Sequence, residues 1–250
     1  HFLKERKIKV VFDPVTAKAL EGPSSSVNKM NVDLIVTIGG DGTILRTEGQ
    51  LAGKQIPVVG INLGDIGFMT EIMPNEMIEA LKRILSGKYI VEKRTKLKVK
   101  IANKSLPDAL NEAVIMTAAP AKMLHLEICV NGQVAEEIRA DGVIIATPTG
   151  STAYALSAGG PIVAPQVDAF IVAPICPFKL SARPLVIPAN STIKIRMLKP
   201  GKKALIVIDG QRIQEMGYKD EVAFSKSKSY AYFIKLQRDF YQRVIKKLAG

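Results

Sequence analysis

In 250 residues the chain has no tryptophan, two cysteines and two histidines. Cys129 and Cys176 form no CxxC pair, which excludes a disulfide scaffold and reads as two small buried hydrophobes in a reducing compartment. With only two thiols and only His1 and His125 to join them, a zinc site built from Cys and His is not expected. No apolar run reaches the roughly 18 to 20 residues that span a bilayer. The opening HFLKERKIKVVF carries no apolar signal-peptide core. The expectation is a cytoplasmic protein with no membrane partner. Aromatic residues make up only 6% and seldom stand among the basic ones, so the stacking platforms of a nucleic-acid binder are not evident.

Positive charge is what the chain has in excess: 35 Lys and Arg against 23 Asp and Glu, a net +12. Lys96, Lys98 and Lys100 alternate with Leu97, Val99 and Ile101, the pattern of a half-buried strand with a polar face. Lys226 and Lys228 read as part of a short polar segment, and Lys246-Lys247 as the end of a C-terminal helix, where cations suit the dipole. The excess therefore reads as solvated surface plus attraction for anions such as nucleotides, with no nucleic-acid partner.

Two rhythms divide the chain. Up to about residue 88, apolar runs at 7–12, 33–38 (DLIVTI) and 56–61 (IPVVGI) alternate with helical patterns, the clearest being Met77, Ile78, Leu81, Ile84 and Leu85. Continuous apolar strands between helices predict a doubly wound, Rossmann-like α/β domain, whose ligands bind at the carboxyl ends of the strands. GGDG and NLGDIG both stand there. From residue 89 to 235 the period falls to two, with hairpin signals at Asn131-Gly132 and Asp209-Gly210, and a β-sandwich is expected. Over 236–250, Phe240, Val244 and Leu248 mark a helix that packs back on the body.

Several familiar motifs fail. A dinucleotide fingerprint beginning at Gly40 needs glycine where Leu45 stands, no GxxxxGK[ST] exists, and Ala155 spoils a GxSxG elbow at Ser157. What remains is TIGGDGTILRT, in which Asp41 sits among Gly39, Gly40 and Gly42, ahead of Thr43 and Arg46. Glycines suit a loop that wraps an anion, but a carboxylate beside phosphates is out of place unless it makes a turn or performs chemistry. The second cluster, RADGVIIATPTGSTAYALSAGG, runs from Arg139 to Gly160. Its hydroxyls at Thr147, Thr149, Ser151, Thr152 and Ser157 suit a nucleotide's polar edges, and Tyr154 could stack on a ring. The bland alternative is a helix capped by Thr149 or Ser151, with Ala153, Leu156 and Ala158 as its packing face. Asn111-Glu112 and Gln211 read, alone, as turn residues, and Lys122 as an ordinary surface base.

Taken together, GGDGT at 39–43, NE at 111–112 and DGVIIATPTGSTAYALSAGGP at 141–161 closely resemble the NAD kinase family. SARPLVI at 181–187 adds to this, and it sets the chain apart from the diacylglycerol and sphingosine kinases that share GGDGT. The resemblance extends from about Asp33 to the C-terminus. It implies phosphorylation of the 2′-hydroxyl of the adenosine ribose of NAD, with ATP or inorganic polyphosphate as donor and a divalent metal, Mg²⁺, required. It also implies a site between the two domains, completed by a neighbouring subunit of a homodimer or homotetramer.

Carried over by position, Asp41 is the expected general base, and Gly39, Gly40, Gly42 and Thr43 form the phosphate loop. The expected NAD contacts are Asp41, Gly42, Arg46, Asn111, Glu112, Lys122, Arg139 and Asp141, then Thr149, Thr152, Ala153, Tyr154, Ala155, Leu156 and Ser157, and Gln211. The family pattern further places a strand, a loop and a helix ahead of His1, with FLKERKIKVVF as the second strand. The competing expectations are a lipid or small-alcohol kinase, which needs an apolar channel, and a non-catalytic NADP(H)-binding or nucleic-acid-associated regulator, which gains nothing from Asp41.

Overall fold

The structure is a computed structural model that describes residues 1–64 and 67–248; Asp65 and Ile66 of the NLGDIG loop lie outside the described residues. The elements begin α1 (Phe2–Glu5), α2 (Pro14–Leu20), β1 (Ile35–Ile38), α3 (Asp41–Leu51), β2 (Val58–Ile61) and α4 (Met77–Leu85). They continue β3 (Ile90–Ile101), β4 (Lys104–Ser105), β5 (Glu112–Thr117), β6 (Leu124–Val130), β7 (Gln133–Ala140), β8 (Gly142–Ala146) and α5 (Tyr154–Ser157). The last are β9 (Ala169–Ile175), β10 (Leu185–Pro188), β11 (Ile193–Met197), β12 (Ala204–Ile208), β13 (Arg212–Met216), β14 (Glu221–Lys235) and α6 (Phe240–Leu248). They fall into two compact units, residues 1–92 with 232–250, and residues 93–231.

The first unit is α/β. IVTI and VVGI, rich in β-branched residues, pair in parallel from Ile35↔Val58 to Ile38↔Ile61, and β2 also pairs in parallel with the end of β14 at Phe233↔Val58. All four residues of β2 are buried, as expected of a parallel strand covered on both faces. Ala80 and Ile84 of α4 close the core with Val59, Ile61, Ile72 and Ile234.

Two expectations are corrected here. The run at 7–12 forms no strand: Lys7 turns at φ 59, Asp13 already caps α2, and only an isolated bridge, Phe12↔Ser24, remains. The helix α6 forms where the apolar spacing expects it, with Phe240 and Val244 half-buried, but its buried residue is Arg243 and Leu248 is half exposed. An ionic anchor joins the apolar stripe.

The second unit is a sandwich. One face is the antiparallel sheet β10-β9-β8-β5-β12-β13; on the other, β11 lies between β14 and β6, with β7 outside β6. Leu126, Ile128, Ile193 and Phe224 of one sheet share a core with Ile115, Val143, Phe170 and Ile206 of the other. Asn131-Gly132 and Asp209-Gly210 both have positive φ at the two central positions (50 and 82, 47 and 66), as a two-residue hairpin turn requires.

Four local expectations fail in this unit. Lys96 is buried, so β3 has no simple polar face. Lys226 and Lys228 belong to the long strand β14. Cys176 is exposed and Cys129 only half-buried. Neither Thr149 nor Ser151 caps a helix: a 3-10 turn runs over Thr149–Thr152, and the α-helix after it is only four residues long.

Candidate functional site

Asp41 is the first helical residue of α3, directly after the carboxyl end of β1, and its side chain faces the loop that follows β2. Its carboxylate accepts three backbone N–H groups: Phe68 on Oδ2 at 2.8 Å, and Met69 and Thr70 on Oδ1, each at 3.1 Å. Gly67 makes this approach possible, because a Cβ there would overlap Asp41 Oδ1. The turn-versus-chemistry alternative is thus not exclusive, since Asp41 organises a loop and keeps lone pairs to spare. At Gly40 and Gly42 an added Cβ meets no atom within 4 Å, so packing does not explain those two glycines. Thr43 and Arg46 follow on α3, where Arg46 Nη2 reaches Thr43 Oγ1 at 3.4 Å.

In the second unit Asn111 and Glu112 open β5, both more than nine-tenths buried. The carboxylate of Asp209 fixes this entry. Oδ2 accepts Leu110 N–H at 2.8 Å, and Oδ1 accepts those of Asn111 at 2.8 Å and Glu112 at 3.1 Å. The start of the hydroxyl-rich loop closes over the same segment. Thr147 N–H donates to Asn111 C=O at 2.8 Å, Thr147 Oγ1 donates to Leu110 C=O at 2.6 Å, and Gly150 passes where any Cβ would strike Asn111 C=O. Thr149, also buried, accepts Arg94 Nη1 at 3.2 Å.

With the backbone so fully paired, two side-chain acceptors stand out. Asn111 Oδ1 and Glu112 Oε2 are buried and have no hydrogen-bond partner. A buried oxygen without a donor is expensive, and it calls for a partner such as an ordered water, an ion or a ligand.

The electrostatics agree. Burial first, and then the charge of Asp209, push the Glu112 carboxyl from about 4.5 up to about 8. Burial also raises Asp209, against which its three N–H donors and then the buried Lys96 work in the opposite direction. At neutral pH Glu112 is therefore mainly protonated and can donate as well as accept. The sequence pattern alone marks Asp209 as a hairpin residue and Lys96 as part of a polar strand face. Asp209→Ala would leave three N–H groups without their acceptor at roughly 1–3 kcal/mol each. The expected result is a melting temperature lower by about 10 °C or more, read by calorimetry.

The remaining positions divide. Ala155 is buried and Leu156 half-buried, whereas Tyr154 (42% exposed) and Ser157 present themselves to solvent, and Ala153 and Thr152 sit half-buried between them. Gln211 is exposed in the turn after Asp209. Arg139 and Asp141 lie elsewhere: β8 separates Asp141 from Thr147, six residues or about 20 Å of extended chain. Arg139 instead lines a cavity of about 260 Å³ with His125, Lys199 and Lys202. Lys122 stays exposed just before β6. Among the described residues no group of three or more His, Cys, Asp or Glu is placed to hold a metal ion, and no helix is long and apolar enough to cross a membrane.

Residues 4–89 match the ATP-NAD kinase N-terminal domain, and residues 110–236 the ATP-NAD kinase C-terminal domain. The chain belongs to the NAD kinase family. The NAD kinase of Methanothermobacter thermautotrophicus is 52% identical over 250 residues, covering 99% of this chain and 88% of that one. Yeast NADH kinase, solved with NADH, superposes with a TM-score of 0.90 at 29% identity, covering 100% of this chain and 82% of that one. An NAD kinase from Archaeoglobus fulgidus, solved with ATP, gives 0.81 at 33% identity, covering 96% and 97%. Both NAD kinase domains are thus present, one carrying Asp41 and the other the buried pair Asn111-Glu112.

Proposed function

We propose that this chain is an NAD kinase that transfers the γ-phosphoryl group of ATP to the 2′-hydroxyl of the adenosine ribose of NAD, giving NADP. The observation that carries the reading is the pair of orphaned acceptors, Asn111 Oδ1 and Glu112 Oε2, at a strand entry otherwise saturated with hydrogen bonds. Ribose hydroxyls supply the donors these oxygens lack. A substrate without those hydroxyls would leave the pair buried and unpaired, which is the basis of selectivity for a nucleotide.

Asp41 acts as the general base. Its three N–H bonds hold the carboxylate in one orientation and leave a lone pair for the ribose hydroxyl. As the hydroxyl oxygen attacks the γ-phosphorus, its proton passes to Asp41, the bond from the γ-phosphorus to the bridging oxygen breaks, and ADP leaves. Gly40 and Gly42, bare of side chains at the amino end of α3, let the donor's phosphates approach the helix N–H groups. Thr149, Thr152 and Tyr154 line the nucleoside, with Gln211 beside them.

Among the described residues no group of three or more His, Cys, Asp or Glu is placed to hold a resident metal. A magnesium ion would come with the donor and would supply neutralisation of its phosphate charge, while the residues of the chain hold and orient the substrates. The distance along β8 that separates Arg139 and Asp141 from Thr149 supports a homo-oligomer in which those two residues serve a neighbouring copy's nucleotide. The free thiols of Cys129 and Cys176 support a reducing, cytoplasmic setting.

The test is NADP formation from NAD and MgATP, read by a dehydrogenase that accepts only the 2′-phosphorylated product, with polyphosphate as donor in parallel. Turnover with either donor is expected. No product with both, in protein that binds NAD, would overturn the assignment.

A further inference from the structure

The C-terminal helix α6 reaches the loop that holds Asp41 through one buried arginine. Arg243 is 9% exposed and engages all three of its guanidinium nitrogens. Nε donates to Asp239 Oδ2 at 2.7 Å and Nη2 to Glu71 Oε2 at 2.9 Å. Nη1 donates to the carbonyls of Gly67, at 3.3 Å, and of Thr70. Glu71 is itself fixed by Lys235 Nζ at 2.5 Å and by the Leu236 N–H at 2.7 Å.

The arrangement matters because of one shared peptide. The Gly67 carbonyl and the Phe68 N–H belong to the same planar unit. Arg243 grips its oxygen, and Asp41 accepts its N–H at 2.8 Å. A cation and a carboxylate thus hold opposite ends of a single peptide group and polarise it in the same sense. The Thr70 contact pins the other end of the segment whose N–H groups wrap Asp41.

Anchoring the helix alone would not need this. A buried apolar side chain would do so without the desolvation cost of a charge. Only the planar fork of an arginine can span two carbonyls and two carboxylates at once.

We propose that Arg243 is a positioning residue for phosphoryl transfer: it fixes residues 67–71 so that their N–H groups present the Asp41 carboxylate in a single orientation. The proposal rests on Asp41 as the base. In this role Arg243 acts through the loop and not on the substrate.

The experiment is a double-mutant cycle on the full chain. Arg243→Met and Arg243→Lys are each made in the parent and in Asp41→Asn, and kcat, KM for NAD and melting temperature are measured for all. Arg243→Met in the parent is expected to lower kcat by about 10–100-fold, the scale of a base displaced by about 1 Å. KM for NAD is expected to stay within about twofold, and Arg243→Lys to recover part of the loss. In the Asp41→Asn background the same change is expected to alter the residual rate by less than about twofold, because it acts through a group already removed. An equal loss in both backgrounds would show a merely structural role and overturn the proposal, as would an unchanged kcat. Should Arg243→Met not fold, Arg243→Lys carries the same cycle with the same criteria. Parent-like turnover in Asp41→Asn alone would instead refute the base assignment.

Discussion

Asp41→Asn retains only about one part in 10² to 10⁴ of the parent's turnover, the contribution expected of one general base. Positioning and charge neutralisation at the donor supply the rest of the rate and survive the substitution. The side chains are nearly isosteric, so the loss reports chemistry more than packing. It is not pure chemistry, however. Phe68, Met69 and Thr70 all donate to the carboxylate, and an amide offers one acceptor oxygen together with an NH₂ that meets N–H groups head-on. Some loosening of residues 67–70 therefore accompanies the lost base. Asp41→Glu separates the two effects: it keeps the charge and both oxygens but moves them by one methylene, and its turnover is expected to lie between the parent and Asp41→Asn. Steady-state kinetics at saturating NAD and MgATP read both. Parent-like turnover in Asp41→Asn would remove the residue from the mechanism.

Glu112→Gln makes the protein more stable and less active, and the gain in stability grows with pH. In the unfolded chain the carboxyl ionises near 4.5, whereas in the folded protein burial and then Asp209 hold the proton to about 8. The folded state therefore binds the proton more tightly across that window. The stability this group contributes is fully present below about 4.5 and is lost as pH rises toward 8, with a slope of about 1.4 kcal/mol per pH unit. The whole interval corresponds to about 5 kcal/mol as an upper bound.

Glutamine resembles the protonated acid, has no proton to lose, and escapes that decline. The two melting temperatures should nearly coincide at pH 5 and separate steadily up to pH 8, with the variant above the parent. Because Oε2 is one of the two orphaned acceptors, kcat/KM for NAD is expected to fall by roughly tenfold, the scale of one lost hydrogen bond in a dry site. Calorimetry across pH checks the first part and initial rates the second. Parallel melting curves would place Glu112 in a wetter setting than its burial implies.

How much of this was legible in the sequence depends on how local each cause is. The strand–glycine–helix junction at 35–51 and both hairpin turns announce themselves within a few residues, through apolar runs, glycines and Asn-Gly or Asp-Gly pairs. Asn111-Glu112 was recognisable only by resemblance, since nothing in a polar pair before a strand shows that its side chains end up buried and unpartnered. Asp209 was missed because it acts on Leu110, Asn111 and Glu112, which lie about a hundred positions away in sequence. A turn aspartate carries no mark of what lies across the sheet from it. Arg243 hid for a different reason. Helical periodicity looks for apolar residues, and Phe240, Val244 and Leu248 supplied a plausible stripe while the buried anchor was the charge between them. Lys96 shows the same failure in a strand, where alternation assigned a buried cation to the solvent face. Buried charges held by distant partners obey tertiary geometry, which period counting does not see.

Under the proposed function, Asn111 and Glu112 hold NAD and Asp41 takes the proton of its 2′-hydroxyl. Isothermal titration of NAD into Asn111→Ala and into Asp41→Asn tests it most directly. Asn111→Ala is expected to weaken binding by about tenfold or more, the cost of losing one buried acceptor, while Asp41→Asn binds within about threefold of the parent yet turns over almost nothing. Undiminished NAD binding in Asn111→Ala, or its collapse in Asp41→Asn, would contradict the account.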